Sequence, residues 1–206
     1  MSQRGKLFTI SAPSGAGKTS LARALVERNE NTVMSVSHTT RAQRAGEVHG
    51  QDYYFIDQPE FLSMVDDDIF LEYAQVYGNY YGTSRIAVEQ QLEQGKNVLL
   101  DIDWQGAGHV REIMPSAVSI SVLPPSIEEL ERRLRGRGSD SEQVIQSRMR
   151  QAMDEMAHCT DSDHIILNDD FNLALADLEL ILAGQSDKLR PLSLDLDTLL
   201  RAPRAG

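Results

Sequence analysis

Cysteine is almost absent from this chain: Cys159 is the only one in 206 residues. That excludes a disulfide framework and a multi-cysteine metal site. Long apolar runs are missing too, and none approaches the ~20 residues of a membrane-spanning helix. Met1 to Lys6 lead into a strand-like apolar run with no A-x-A cleavage pattern. No signal peptide is therefore expected, and the cytoplasm is the expected compartment. Lysine is scarce: of 20 basic residues, 4 are Lys and 16 are Arg. Against 31 acidic residues the net charge is −11, so no nucleic-acid-coating surface is expected. His38, His49, His109, His158 and His164 are scattered without ligand spacing such as H-x-x-x-H and read as structural or surface residues. What is present fits a folded protein, with 41% apolar and 25% charged residues. The length suits one domain at roughly 100–200 residues per domain. The arginines offer planar forks that suit carboxylates and phosphates, which fits a small phosphorylated ligand.

The pattern alternates strands with helices. Strand-like runs occupy residues 7–11, 33–37, 52–56, 70–76, 79–83, 97–101, 118–123 and 164–167. Helical spacing begins at Lys18, near Pro59, at Ser84, at Ser126, at Ser141 and at Asp170. Ser126 with Glu129 forms a capping box. Residues 39–50 carry no apolar periodicity and read as an ordered loop or surface arm, and residues 184–206 read as a loose tail. Such alternation predicts an α/β fold with a mostly parallel sheet. The β-rich stretch near residues 33–83 interrupts the rhythm and reads as an inserted subdomain.

Ala12-Pro13-Ser14-Gly15-Ala16-Gly17-Lys18-Thr19 resembles the phosphate loop G-x-x-x-x-G-K-[ST], with a strand before it and a helix after it. Gly15 and Gly17 allow turns that aim backbone N–H groups at phosphate oxygens. The helix that follows adds its own N–H groups and positive end. Lys18 can reach the β/γ-phosphates, and Thr19 can place its hydroxyl on Mg²⁺. Ala12 replaces the first glycine of the motif. Asp101, an acidic residue closing an apolar strand, is where enzymes with such a loop hold Mg²⁺, and Asp103 points to the same side.

Larger stretches carry a resemblance. SAPSGAGKTSL, VSHTTRAQRAGEVHGQDYYF, GNYYGTS, LDIDWQG, PPS, RRLRGRG and ILNDD are similar to segments of the guanylate kinases, over about three quarters of the chain. The resemblance implies the P-loop nucleoside-monophosphate-kinase fold within a single domain. A core would take residues 5–32, 84–125 and 158–183, a GMP-binding subdomain 33–83, a helical lid 126–157, and a tail 184–206. It implies a clamp for the GMP phosphate at Ser37, Arg41, Arg44, Tyr53 and Tyr81. Two arginine forks with phenol and serine hydroxyls can satisfy a dianionic monoester without a metal. It implies guanine recognition by Glu72, Thr83 and one of Asp101 or Asp103. It implies ATP binding by residues 12–19 with Ser20, an adenine contact at Asn168, and catalytic roles for Lys18, Arg133, Arg137 and Arg148. The four arginines between Glu131 and Gly138 would repel one another, favouring an open lid until an anion arrives.

The activity so implied is ATP-dependent phosphorylation of GMP to GDP in purine nucleotide metabolism. Mg²⁺ would accompany ATP, held by Thr19 and Asp101. ATP and GMP are the expected partners, with no nucleic acid and no membrane. Two rivals stand beside it. One is a P-loop phosphotransferase for another nucleotide or a sugar phosphate, against which Glu72, Thr83 and the Arg41/Arg44 pair argue. The other is a guanylate-kinase-like protein-binding module. Such modules typically lose parts of the phosphate loop, whereas Lys18, Thr19 and the lid arginines are intact here.

Overall fold

The computed structural model describes residues 4–76, 78–136, 141–194, 196 and 199. Its strands are β1 (Leu7–Ser11), β2 (Thr32–Met34), β3 (His38–Thr39), β4 (Tyr54–Phe55), β5 (Phe70–Val76), β6 (Asn79–Ser84), β7 (Asn97–Asp101), β8 (Val118–Leu123) and β9 (His164–Leu167). Its α-helices are α1 (Lys18–Arg28), α2 (Gln58–Asp66), α3 (Arg85–Glu93), α4 (Trp104–Ile113), α5 (Ile127–Arg135), α6 (Glu142–Ala157) and α7 (Phe171–Leu182). One sheet has the order β2-β7-β1-β8-β9 and the other β4-β3-β6-β5. In the first, β2 runs parallel to β7 with Val33 opposite Val98, and β8 runs parallel to β9 with Ser121 opposite Ile165. In the second, β6 is antiparallel to both β3 and β5. β2 thus joins the five-stranded sheet, and the β-rich sheet begins at His38.

The chain divides into two compact units, Met1–Thr9 with Glu30–Val118, and Ile10–Asn29 with Ser119–Gly206. The core of the first unit gathers Leu71 from β5, Val88 and Leu92 from α3, Val98 and Leu100 from β7, and Ala107 and Val110 from α4. The i,i+4 spacing of Val88 and Leu92 and the i,i+3 spacing of Ala107 and Val110 put each pair on one buried helix face. Helix α4 has no expectation behind it in the sequence pattern. Gly106 and Gly108 lower its intrinsic propensity by roughly 1 kcal/mol each. It forms because Asp103 caps it, accepting from the Gly106 amide at 2.8 Å, and because Ala107 and Val110 are buried.

The core of the second unit joins Leu123 of β8, Leu130 and Leu134 of α5, Ala152 and Met156 of α6, and Cys159. Ser126 caps α5 by accepting from the Glu129 amide at 3.1 Å, and Ser141 caps α6. Burial pushes the Cys159 thiol up, consistent with an inert side chain.

The tail departs from the loose segment expected. Leu194, Leu196 and Leu199 pack into the same cluster as α5 and α6. Arg190 fixes their approach: its Nε donates to Asp177 Oδ2 at 2.8 Å, and its two other nitrogens donate to Asp169 Oδ1 and to the Leu167 carbonyl, each at 3.2 Å. No periodicity in the sequence announces this clamp, because its partners lie 13 to 23 residues away. Asp177 is buried, so Arg190→Ala leaves a carboxylate without its cation. The expected loss is about 2 kcal/mol, below the range for fully buried pairs because Arg190 is about a third exposed. Urea denaturation measures it, and an unchanged midpoint would show that the clamp contributes nothing.

Candidate active site

The phosphate loop leaves β1 and enters α1. Gly15 and Gly17 adopt φ of 97° and 94°, in the left-handed region where a Cβ is costly. The Ala16 amide donates to the Pro13 carbonyl at 3.0 Å, closing the turn. Gly17 stands at the N-cap of α1 and, having no side chain, offers no cap of its own. A helix start of this kind is suited to an anion.

Neighbouring side chains hold the loop. A Cβ on Gly15 would stand 3.0 Å from Leu130 Cδ1, and one on Gly17 would stand 2.5 Å from Asn168 Nδ2. Asn168, expected at an adenine, is buried here, and its amide nitrogen donates to the Ala16 carbonyl at 2.6 Å. Its own backbone is fixed in turn, with the amide donating to the Leu123 carbonyl and its carbonyl accepting from Arg133.

Among the described residues, the lid arginines Arg132, Arg133 and Arg135 are paired with carboxylates rather than left to repel one another as the sequence pattern suggested. Arg132 and Arg133 both donate to the Glu129 carboxylate at 2.7 Å, and they hold that carboxyl down to about 2. Arg135 forks onto both Glu131 and Glu142. These are i,i+3 and i,i+4 pairings along α5, with α6 adding the last carboxylate. Among the described residues, Arg132, Arg133 and Arg135 each meet a carboxylate, so mutual repulsion of these three is no basis for an open lid. Arg148 is half-buried on α6, and Arg137 lies outside the described residues.

In the first unit, Glu72 lies on β5 opposite Thr83 of β6, and the register shifts between Phe70 and Glu72. The irregularity interrupts the in–out alternation, so Phe70, Leu71 and Glu72 are buried in succession. The Thr83 hydroxyl donates to Glu72 Oε1 at 2.5 Å. A Cβ on Gly106 would lie 2.6 Å from Glu72 Oε2 and 3.3 Å from Asp103 Oδ1. Glu72 and Asp103 therefore flank one glycine, which explains why α4 tolerates Gly106. Asp101 is the half-buried last residue of β7.

Arg41 forks onto Glu47, donating at 2.8 and 3.1 Å, and lies over the rings of Tyr53 and Phe55. The hydrogen bonds to Glu47 raise the Arg41 guanidinium and lower the Glu47 carboxyl, with a smaller contribution to Arg41 from Tyr81. The Tyr53 and Tyr81 rings are 6.0 Å apart. Arg44 is exposed, and its amide donates to Glu47 at 2.8 Å. Ser37 accepts from the Tyr54 amide through its carbonyl. Arg41, Tyr53 and Tyr81 are thus gathered together. Glu47, which holds the Arg41 fork, was visible only as the last letter of the S-x-T-T-R-x-x-R-x-G-E segment. His38 stacks on Tyr54 at 4.7 Å, and burial lowers its pKa.

Gly17→Ala tests the loop. Left-handed strain of about 1–3 kcal/mol is expected to weaken binding of a non-hydrolysable ATP analogue by roughly 5- to 150-fold by calorimetry. Adding Asn168→Ala removes the clash and should not restore binding, because the positive φ remains. Tight binding in the single variant would show that the loop needs no glycine there.

Comparison with known proteins meets this geometry from outside. A family model described as guanylate kinase matches residues 4–185. A guanylate kinase of Yersinia pestis bv. Antiqua (strain Antiqua) is 57% identical over 188 residues, covering 90% of this chain and 91% of that protein. One of Shewanella sp. (strain MR-7) is 55% identical over 186 residues, covering 90% of each. The crystal structure of guanylate kinase from Anaplasma phagocytophilum superposes with a TM-score of 0.74 at 37% identity, covering 90% of this chain and 88% of that one. The α/β fold agrees with this kinship, and the chain belongs to the guanylate kinase family.

Proposed function

We propose that this protein transfers the γ-phosphoryl group of ATP to GMP, yielding ADP and GDP. The observation that carries the choice of acceptor is the buried Glu72, held by Thr83 and sharing Gly106 with Asp103. Guanine presents N1–H and an adjacent 2-amino group, two donors for one carboxylate. Adenine presents a lone pair at N1, so carboxylate and base would both lose water without a hydrogen bond. A site built on such pairing can reject the wrong ligand by ~10⁴–10⁵. Asp103 is the proposed companion of Glu72 at the base.

Arg41, Arg44, Tyr53, Tyr81 and Ser37 are the proposed clamp for the 5′-phosphate, with Glu47 keeping the Arg41 fork in one orientation. The attacking group is a phosphate oxygen already ionised near neutral pH, so no general base is needed. It forms a new P–O bond to the γ-phosphorus as the bond to the β-phosphate oxygen breaks, and ADP leaves. Residues 12–20 are the proposed cradle of the ATP phosphates. Lys18, Arg133, Arg137 and Arg148 are proposed to neutralise the charge that spreads over the transferred group. Asn168 supports the cradle from behind through Ala16.

Mg²⁺ bound with ATP would neutralise charge on the β- and γ-phosphates. The chain's hard oxygen donors proposed for it are the exposed Thr19 hydroxyl in the first turn of α1 and the Asp101 carboxylate ending β7. Two protein oxygens suit an ion that keeps water and phosphate ligands. The proposed compartment is the cytoplasm, in keeping with the single cysteine. No helix among the described residues is long and apolar enough to cross a membrane.

An assay coupled to ADP formation, run with ATP and GMP, AMP or a sugar phosphate, tests the reading. Efficient turnover is expected with GMP, with only a slow rate for AMP. Efficient turnover with a different acceptor, or with none, would favour one of the two rivals. Glu72→Ala is expected to collapse kcat/KM for GMP while leaving the slow rate with AMP nearly unchanged. A GMP/AMP ratio that stays put would remove Glu72 from base recognition.

A further inference from the structure

The phosphate loop receives a second side-chain contact, from an acidic residue. Glu155 of α6 accepts from the Ser14 amide through Oε2 at 3.2 Å, across 141 positions of sequence. A carboxylate beside a loop that binds phosphates opposes the ligand's charge, so selection for phosphate binding alone would not put one there. Its value must lie in geometry. With Asn168 on the Ala16 carbonyl, the loop is held on both sides of Gly15 by side chains from elsewhere in the chain.

The helix that supplies Glu155 is itself fixed to the loop's surroundings. Ala152 and Met156, the neighbours of Glu155 along α6, are buried in the cluster that contains Leu130 and Leu134. Those two leucines are what a side chain on Gly15 would strike. Seven residues before Glu155 on the same helix stands Arg148. At 3.6 residues per turn, that separation of about two turns returns to nearly the same helical face.

We propose that Glu155 is a positioning residue for the phosphate loop, tying the Ser14 amide to the helix that carries Arg148. The loop and the arginine then take their places together, because one rigid element sets both. The proposal rests on the reading of the loop as the ATP site. It adds a residue that works through the loop backbone and touches neither substrate.

Three variants separate the roles Glu155 can have. Glu155→Ala removes the acceptor, Glu155→Met removes it while keeping a long stem in place, and Glu155→Gln keeps an accepting oxygen without the charge. Steady-state kinetics in both substrates and calorimetric titration with MgADP are the readouts. The Ala and Met variants are expected to lose roughly 10- to 100-fold in kcat/KM for ATP, as for a hydrogen bond to a charged group. They are expected to bind MgADP more weakly, with KM for GMP unchanged. Glu155→Gln is expected to recover most of the loss. Wild-type kinetics and ADP affinity in Ala and Met, with or without a lowered Tm, would overturn the proposal by showing a purely structural contact. Tighter ADP binding in those variants would overturn it as well, since Glu155 would then be a competitor for the loop. A Gln variant as impaired as Ala would overturn the acceptor role. Should the wild type fail to phosphorylate GMP, the ADP titration still decides the Glu155 question independently.

Discussion

The shape of the phosphate loop is the constraint on which much of the second unit depends. Two glycines at positive φ contribute no side chains to the packing of the turn. Its order is imposed by neighbours: Leu130 and Leu134 crowd Gly15, Asn168 binds the Ala16 carbonyl, and Glu155 binds the Ser14 amide. Each neighbour is fixed in turn. The leucines belong to the cluster that the tail completes with Leu194, Leu196 and Leu199. The Asn168 backbone is pinned by Leu123 and Arg133. The same interactions that stabilise α5, α6 and the tail thus hold the loop in one shape, the preorganisation that the proposed phosphate binding requires.

The first unit solves a different problem, that of holding a carboxylate away from water. The answer is local to β5, β6 and the start of α4. The register shift in β5 turns Glu72 inward, Thr83 meets it across the sheet, and Gly106 leaves space for it. Polar groups buried in this way are unforgiving of a mismatched partner, and the proposed choice of guanine over adenine rests on that intolerance. Arg41 is arranged on the same logic. Glu47 and two aromatic faces restrict its guanidinium before any ligand arrives.

Much of this was legible in the sequence where the signal is local. The strand–loop–helix turn at Gly15 and Gly17, the Ser126 cap and the apolar strands read directly, because turn chemistry, caps and short apolar runs depend on near neighbours. The reciprocal half of the capping box does not form, since the Glu129 carboxylate is taken by Arg132 and Arg133. Helix α4 was illegible because Gly106 answers to Glu72, a tertiary partner that overrides helix propensity. The candidacy of Glu72 came only through family resemblance, and its inward turn was not visible at all, since a strand irregularity leaves no mark in composition. The lid arginines show the opposite failure. Glu129 and Glu131 stand four residues before Arg133 and Arg135, and that spacing, readable as paired charge, was outweighed by the density of like charges. The tail clamp through Arg190 rests on contacts too distant in sequence for any periodicity to reveal.

The central claim is that the loop ending in Gly17-Lys18-Thr19 binds the phosphoryl donor and that Lys18 follows the transferred group. The most direct measurement is kcat for GMP phosphorylation in Lys18→Ala, taken together with GMP affinity and a melting curve on the same sample. Turnover is expected to fall by ~10²-fold or more, as when a preorganised transition-state donor is removed. GMP affinity and melting temperature are expected to stay close to wild type. A folded variant that keeps near-normal turnover would contradict the claim and take the phosphate loop out of the mechanism.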